Sequence, residues 1–360
     1  MNKNYFKHWM MITIIVSLAG IWPEIGSAQE ARKSFSKGTE YLRQGELDKA
    51  KDALEEAISL ESNYAEAYNN LGLVYYEKED YDEAELKFKK VTDELNPNDE
   101  NAWTNLAILY YKLGTIKDEA GQDYEAQLKY NLAVSAYNTA LALSTEEKSY
   151  HADVYNNLGV IYAKKGDYIN AENAYTNAIR IAGIAWDDVV IKDLEYTKYT
   201  RAYYNRGNLY YEQKKYDQAI VDYTVTIDFY EPKEDIDYDY SDAYYNRGLC
   251  YFNKNQYDQA ITEYQSGINI NPDFIWAHYS KGYVHFLKGE YSQALAEFQQ
   301  VLILPNDFRA KEGAHSYAQL GMGLVYHKQG EYEQSLSSVK ASCNMGNASA
   351  CSTLKDLGQL

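Results

Sequence analysis

After residue 22 no stretch is long and apolar enough to cross a bilayer, which takes about 20 apolar residues, so the body of the chain is expected to fold in water. Basic charge is also scarce. With 35 Lys and Arg against 53 Asp and Glu, the surface lacks the concentrated cations that a phosphate backbone requires, and nucleic acid is not expected as a partner. Catalytic signatures are missing too. The six histidines (His8, His151, His278, His285, His315 and His327) form no HExxH and adjoin no nucleophile motif, and neither a phosphate-binding loop nor GxSxG occurs. Neither an enzyme nor a cofactor is expected. Asp235, Asp237 and Asp239 alternate as in a calcium loop, but the turn Gly is absent and Asn246 stands where the twelfth-place acid belongs. No metal site is expected.

What the chain has instead is repetition. The stretch Asp242 to Pro272, DAYYNRGLCYFNKNQYDQAITEYQSGININP, is nearly copied at Arg201 to Pro232. The slot held by Gly248 recurs at Gly38, Gly72, Ala107, Gly159, Gly207, Gly282 and Gly323, so eight copies fill most of the chain. A fixed order runs through them, as in Tyr68, Gly72, Tyr75, Ala84 and Phe88, in Tyr155, Gly159, Tyr162, Ala171, Tyr175 and Ala178, and in Tyr244, Gly248, Tyr251, Ala260, Tyr264 and Pro272. Small residues at the eighth and twentieth places let two helices approach closely while the bulky places fill the space beside them. Six copies also carry Tyr at the seventeenth place, where packing is its expected role: Tyr81, Tyr168, Tyr216, Tyr257, Tyr291 and Tyr332.

This pattern resembles the tetratricopeptide repeat, a 34-residue helix-turn-helix unit. The resemblance implies an all-α, right-handed superhelical solenoid of about eight repeats, spanning residues 31–342 with starts near 31, 65, 100, 152, 200, 241, 275 and 316. Residues 1–28 read as an export signal. Lys3 and Lys7 precede the uncharged run from Trp9 to Trp22, and Gly26, Ser27 and Ala28 offer small residues for cleavage. The chain is thus expected in the periplasm or outside the cell, touching membrane only through an uncleaved signal.

In the third copy the slot-to-Ala distance is 26 residues, Ala107 to Ala133, against 12 from Gly72 to Ala84. The excess of 14 is two heptads, and Ala126, Tyr130, Ala133, Tyr137 and Ala140 keep one helix face. A hairpin protruding by ~10 Å is expected around residues 115–129. Further inserted tracts at residues 183–199, 231–240 and 304–314 sit at repeat edges, where loops add contacts without disturbing a core. Residues 343–360, with Ala348, Cys351, Leu354 and Leu357 three apart, are expected to cap the stack. Of the three cysteines, Cys250 beside Tyr251 reads as a buried small apolar residue. Cys343 and Cys351 resemble the paired cysteines of Sel1-like repeats, which implies a disulfide between adjacent helices.

The resemblance also implies a protein or peptide partner, held in a concave groove lined by the first helix of each repeat. Groove positions follow the 3.6-residue period as the second, fifth, sixth, ninth, twelfth and thirteenth. At the sixth stand Asn70, Asn105, Asn157, Asn205 and Asn246, similar to the asparagine ladder of the O-linked N-acetylglucosamine transferase repeats. An amide donates and accepts, so such a row can pair with the backbone of an extended peptide. In later repeats the groove positions become aromatic, with Tyr204, Tyr211, Tyr245, Phe252, Trp276, Tyr279, Tyr283 and Phe286. The Lys clamp by which some relatives hold a terminal carboxylate is missing, since no fifth position is basic. The expectation is an exported scaffold for an extended polypeptide. Two other readings stay open: an envelope receptor for a small ligand or glycan, and an assembly factor acting through hairpin and edge loops.

Overall fold

In the computed structural model, residues 27–144, 150–184, 192–229, 238–305 and 313–356 are described. The signal call falls outside them except for Ser27 and Ala28. Leu357 and parts of the tracts at 183–199, 231–240 and 304–314 also lie outside. The described residues form 17 α-helices and one π-helical turn, with no strand among them.

The chain divides into two compact units, Met1–Ala185 and Trp186–Leu360. The first contains the pairs α1 (Ser27–Gln44) with α2 (Leu47–Leu60), α3 (Ala65–Glu77) with α4 (Tyr81–Lys89), α5 (Glu100–Glu119) with α6 (Asp123–Leu143), and α7 (Tyr150–Lys164) with α8 (Tyr168–Ile184). The second contains α9 (Lys192–Glu212) with α10 (Tyr216–Asp228), α11 (Tyr238–Asn253) with α12 (Tyr257–Ile270), α13 (Ile275–Lys288) with α14 (Tyr291–Ile303), and α15 (Ala314–Gln329) with α16 (Tyr332–Asn344). A final helix, α17 (Ala348–Asp356), follows.

Each pair closes on one contact. A Cβ added at Gly72 would lie 2.6 Å from the Phe88 ring, and one at Gly248 would lie 2.6 Å from the Tyr264 ring. Only a residue without a side chain lets the second helix place a ring there. The third pair obeys the same rule one heptad further out. Ala107 occupies the usual slot, Gly114 faces Tyr130 at 2.6 Å, and α5 and α6 run to 20 and 21 residues against 13 for α3. Tyr130 is therefore the buried ring of the extension, bonded through its hydroxyl to Asp118 at 3.2 Å.

Four of the seventeenth-place tyrosines pack on an aromatic ring at the twelfth place, while Tyr332, beside His327, stays 67% exposed. Tyr76–Tyr81, Tyr211–Tyr216, Phe252–Tyr257 and Phe286–Tyr291 lie 5.8 to 6.2 Å apart. Where the twelfth place is Ala163, Tyr168 stays 41% exposed. Repeat length is adjusted locally as well: the second repeat has one extra residue before Pro97, and the helix absorbs it as the π-turn Lys90–Leu95, closed by Asn96 N–H to Val91 O at 2.8 Å.

The fifteenth position turns seven of the eight pairs through the left-handed region, and in the lengthened third pair Gly121 does so at φ 70°. Gly45, Gly166, Gly289 and Gly330 meet that need, but so do Glu79 at φ 62°, Lys214 at φ 60° and Asn255 at φ 58°. For a residue with a Cβ this conformation costs about 1 kcal/mol. At the far end, α17 buries Ala350 and Leu354 against Leu320, Leu336 and Val339, and a disulfide joins Cys343 to Cys351. Ala348, expected on that buried face, is exposed.

Two stability outcomes follow from this packing. Lys214→Gly should raise the denaturant midpoint by the equivalent of about 1 kcal/mol, whereas Gly72→Ala should lower it by about 1–3 kcal/mol; equal midpoints for both would refute the interlock. Reducing the disulfide should cost about 2 kcal/mol, confined to the end of the chain. Hydrogen exchange should then quicken over Ala348–Asp356 and remain unchanged in α13.

Candidate functional site

The first-helix face of each unit is assembled from positions that the helix period brings to one side. In the first unit Asn70, Asn105 and Asn157 lie half-buried on α3, α5 and α7. Their amides are already engaged. Asn70 Nδ2 donates to Thr39 Oγ1 at 2.9 Å, Asn105 Nδ2 to Asn69 Oδ1 at 3.0 Å, and Asn157 Nδ2 to the Tyr137 hydroxyl at 3.1 Å. One N–H of each therefore ties its helix to the preceding repeat. In the second unit Asn205 lies half-buried on α9, and Asn246 on α11 donates to both the Tyr204 hydroxyl and Asn208 Oδ1 at 3.1 Å. The partners Thr39 and Asn208 carry no signal in the sequence, because each lies a repeat away from its Asn.

The aromatic positions all fall in the second unit, and all are half-buried. Three are backed by core rings or neighbouring side chains. Tyr204 lies 6.0 Å from Tyr223, Tyr211 accepts from Asn253 at 3.4 Å, and Tyr245 stacks between Tyr264 and Phe274 while its hydroxyl meets Ser280 Oγ at 3.3 Å. The other five form a ring-to-ring chain centred on α13. Tyr283 contacts Phe252, Tyr279 and Phe286 at 6.0 to 6.4 Å, and Trp276 contacts Tyr279 at 5.8 Å. Tyr317 of α15 joins this chain at 6.2 Å from Trp276 and 6.0 Å from Tyr279, with 38% of its surface exposed. It occupies the second position of its repeat, the signal that would have found it.

Behind this face the second unit has a polar brace invisible to motif reading. Arg206 grips Asp222 at 2.8 and 2.9 Å, Arg247 grips Glu263 at 3.0 Å through two nitrogens, and Lys281 meets Glu297 at 2.6 Å. These are the seventh and twenty-third positions of three consecutive repeats, and the first unit has Leu71, Leu106 and Leu158 at the seventh. Burial works against the Glu297 carboxylate, but hydrogen bonds from His278 and Lys281 outweigh it and hold its pKa below the usual range. Histidines elsewhere serve the same kind of linkage: His151 meets Glu100 at 2.8 Å and His285 meets Glu290 at 2.6 Å. Among the described residues no cluster of His, Cys, Asp and Glu has the arrangement to hold a metal, and no helix is long and apolar enough to cross a membrane.

Comparison with known proteins gives three family matches. A model described as TPR repeat covers residues 250–289, and two described as tetratricopeptide repeat cover residues 35–100 and residues 152–182 with 200–224. Among curated proteins the chain is similar to photosystem I assembly protein Ycf3 of a Synechococcus strain, 26% identical over 148 residues, and of Rippkaea orientalis, 28% identical over 146. Each match covers 40% of this chain and 83% of the relative. Among solved structures, a tetratricopeptide repeat protein from Parabacteroides merdae aligns with TM-score 0.51 at 17% identity, covering 81% of this chain and 99% of that one. The C-terminal part of a TPR repeat-containing protein from Cytophaga hutchinsonii aligns with TM-score 0.52 at 18% identity, covering 77% and 97%. Both likenesses concern the fold.

Burial of the face tyrosines has a pH consequence. Desolvation raises the phenol pKa of Tyr211 and Tyr245 and pushes that of Tyr279 up to about 12. A phenol raised above its unfolded value of about 10 lends stability that is complete below pH 10 and is lost as pH climbs through the folded value. Stability should therefore be unaffected by these phenols from neutrality to about pH 10 and fall between about 10 and 12. Absorbance at 295 nm on the folded protein should show a late-titrating fraction; a single phenol titration near pH 10 would contradict the burial.

Proposed function

This chain is a tetratricopeptide repeat protein, and from that premise we propose that it is a non-catalytic scaffold of the cell envelope, holding an extended polypeptide against its first-helix faces. Proteins built of these repeats serve as platforms for protein–protein interaction. The observation that favours a peptide-holding role here is the ring chain of Trp276, Tyr279, Tyr283, Phe286 and Tyr317: the first four rings pack on the core with one side and stay only half-buried, and Tyr317 is 38% exposed. Rings in such a state bury large area on contact and lose little rotamer entropy. The Asn row contributes differently. Asn70, Asn105 and Asn157 each use one amide N–H within the fold and keep the Oδ1 acceptor and a second N–H for a partner's backbone. Export is supported by the signal-like tract of residues 1–28.

A second reading has its own observation. On the protruding pair, Tyr124, Leu128 and Leu132 stand four residues apart on α6 and are 80%, 51% and 37% exposed. That stripe suits an assembly factor that engages its client through the hairpin, and the Ycf3 proteins that the chain resembles are named for assembly of photosystem I. Site-specific photo-crosslinking separates the two. Probes at Ile108 and Leu324 on first-helix faces, at Leu128 on the hairpin and at Val221 on a second helix would be activated in envelope extract. The face reading requires polypeptide adducts at Ile108 or Leu324 and none at Val221. Adducts confined to Leu128 would transfer the function to the hairpin, and adducts nowhere would refute both.

A further inference from the structure

The helices differ along the row formed by the second, sixth, ninth and thirteenth positions, the centre of each first-helix face. Seven of the eight first helices carry charge in that row: Arg32 and Arg43 on α1, Glu66 and Glu77 on α3, Lys112 on α5, Asp153 and Lys164 on α7, Arg201 and Glu212 on α9, Asp242 on α11, and Lys328 on α15. On α13 the row is Trp276, Ser280, Tyr283 and Leu287, with no charge over its full length. The charges that α13 does carry are turned to other duties, Lys281 to Glu297 behind the face and Lys288 to Asp258 and Glu290 at the turn. Its neighbour extends the apolar surface as far as Leu324, with the charge of Lys328 one turn beyond. Tyr317 and Leu324 of α15 lie on the same side, and Leu287, Tyr317 and Leu324 are 41%, 38% and 41% exposed.

In a chain of net charge −18, a neutral apolar strip is a place where a charged side chain would lose hydration without gaining a partner. An apolar side chain meets no such penalty and covers the exposed parts of Leu287, Tyr317 and Leu324. We infer that the α13–α15 face is a subsite for an uncharged, apolar segment of a partner polypeptide, rich in aliphatic or aromatic side chains. This rests on the peptide-holding reading above and names the class of sequence held. Ser280 and the ring hydroxyls leave polar atoms at the strip for a backbone to address, while the rings set the preference for apolar side chains. The single step from α13 to α15, about 8–10 Å, spans roughly three extended residues at about 3.3 Å each.

The test is binding of fluorescent peptides about eight residues long to the full chain. One series alternates Val or Phe with Gln; two others replace the central pair with Asp or with Lys. The neutral peptide should bind at least tenfold more tightly than either charged version, with affinity changing less than twofold between low and high salt, because no ion pair is there to screen. Leu287→Glu combined with Leu324→Glu, both at partly exposed sites that leave the core intact, should weaken the neutral peptide at least tenfold while circular dichroism stays unchanged. Tighter binding of a charged peptide, or affinity that falls steeply with salt, overturns the neutral subsite and leaves the face as a peptide site of other specificity. Equal binding by the double variant also overturns it. If peptides of all three series fail to bind while crosslinks at Ile108 persist, the α13 subsite is wrong and the peptide-holding reading survives; if crosslinks at both first-helix probes are also absent, both fall.

Discussion

Every helix pair in this protein depends on a small residue on the first helix meeting a large one on the second. Gly72 admits Phe88, Gly159 admits Tyr175 and Gly248 admits Tyr264, each at a distance where even a methyl group would collide. That contact sets how close the two helices lie, and closeness decides the rest of the repeat. It brings the ring at the twelfth place within reach of the tyrosine at the seventeenth and demands a turn tight enough to use a left-handed residue. The third pair shows that the contact, rather than the sequence number, is what is kept. Lengthened by two heptads, it adds a second interlock of Gly114 with Tyr130 instead of a loop.

The two units solve the polar side of stacking differently. In repeats two to four of the first, the seventh place is Leu and helix-to-helix register is carried by amides such as Asn105 on Asn69. In the second, Arg206, Arg247 and Lys281 reach carboxylates on the second helix of their own repeat. A buried ion pair adds little net stability over an apolar pair of similar volume, but a slip that separated its members would leave a charge unpaired at a cost of several kcal/mol. Such a brace penalises sliding of one helix along its partner within a repeat, since a shift of one turn would take Arg206 or Arg247 away from its carboxylate.

How far the fold can be read from sequence depends on where each determinant's partner lies. The repeat period, the glycine slot and the ring opposite it are legible because they recur at fixed spacing and each residue type has one physical use there. The α5–α6 pair is legible in its length, since 14 extra residues on one helix face leave little choice. The left-handed turns are hidden because Glu79 and Lys214 fill positions whose conformation calls for Gly, the surrounding contacts holding them there. The π-turn at Lys90–Leu95 is hidden because a one-residue excess could equally lengthen a loop. For the candidate site, sequence supplied the aromatic and Asn positions but not their occupancy. The bond from Asn246 to Asn208 links residues 38 apart, and Tyr317 becomes part of the ring chain only when α15 lies beside α13.

That occupancy bears on how the face works. An Asn with one N–H committed to the neighbouring repeat is already oriented, so a partner backbone that meets its carbonyl or second N–H encounters a group whose rotamer entropy has been lost in folding. The same commitment makes the amide part of the stack, worth about 0.5–1.5 kcal/mol where it is bonded. On the proposed peptide-holding role, binding and stacking would be coupled at Asn70, Asn105 and Asn157, and a change there would act on both. Asn246 is further committed, with both amide hydrogens taken by Tyr204 and Asn208, so towards a partner it is an acceptor alone. The α13 row has no such double duty at Leu287, whose exposed surface makes no hydrogen bond. Specificity at Leu287 can thus change without cost to the stack, whereas the Asn row is constrained by the fold it helps to hold.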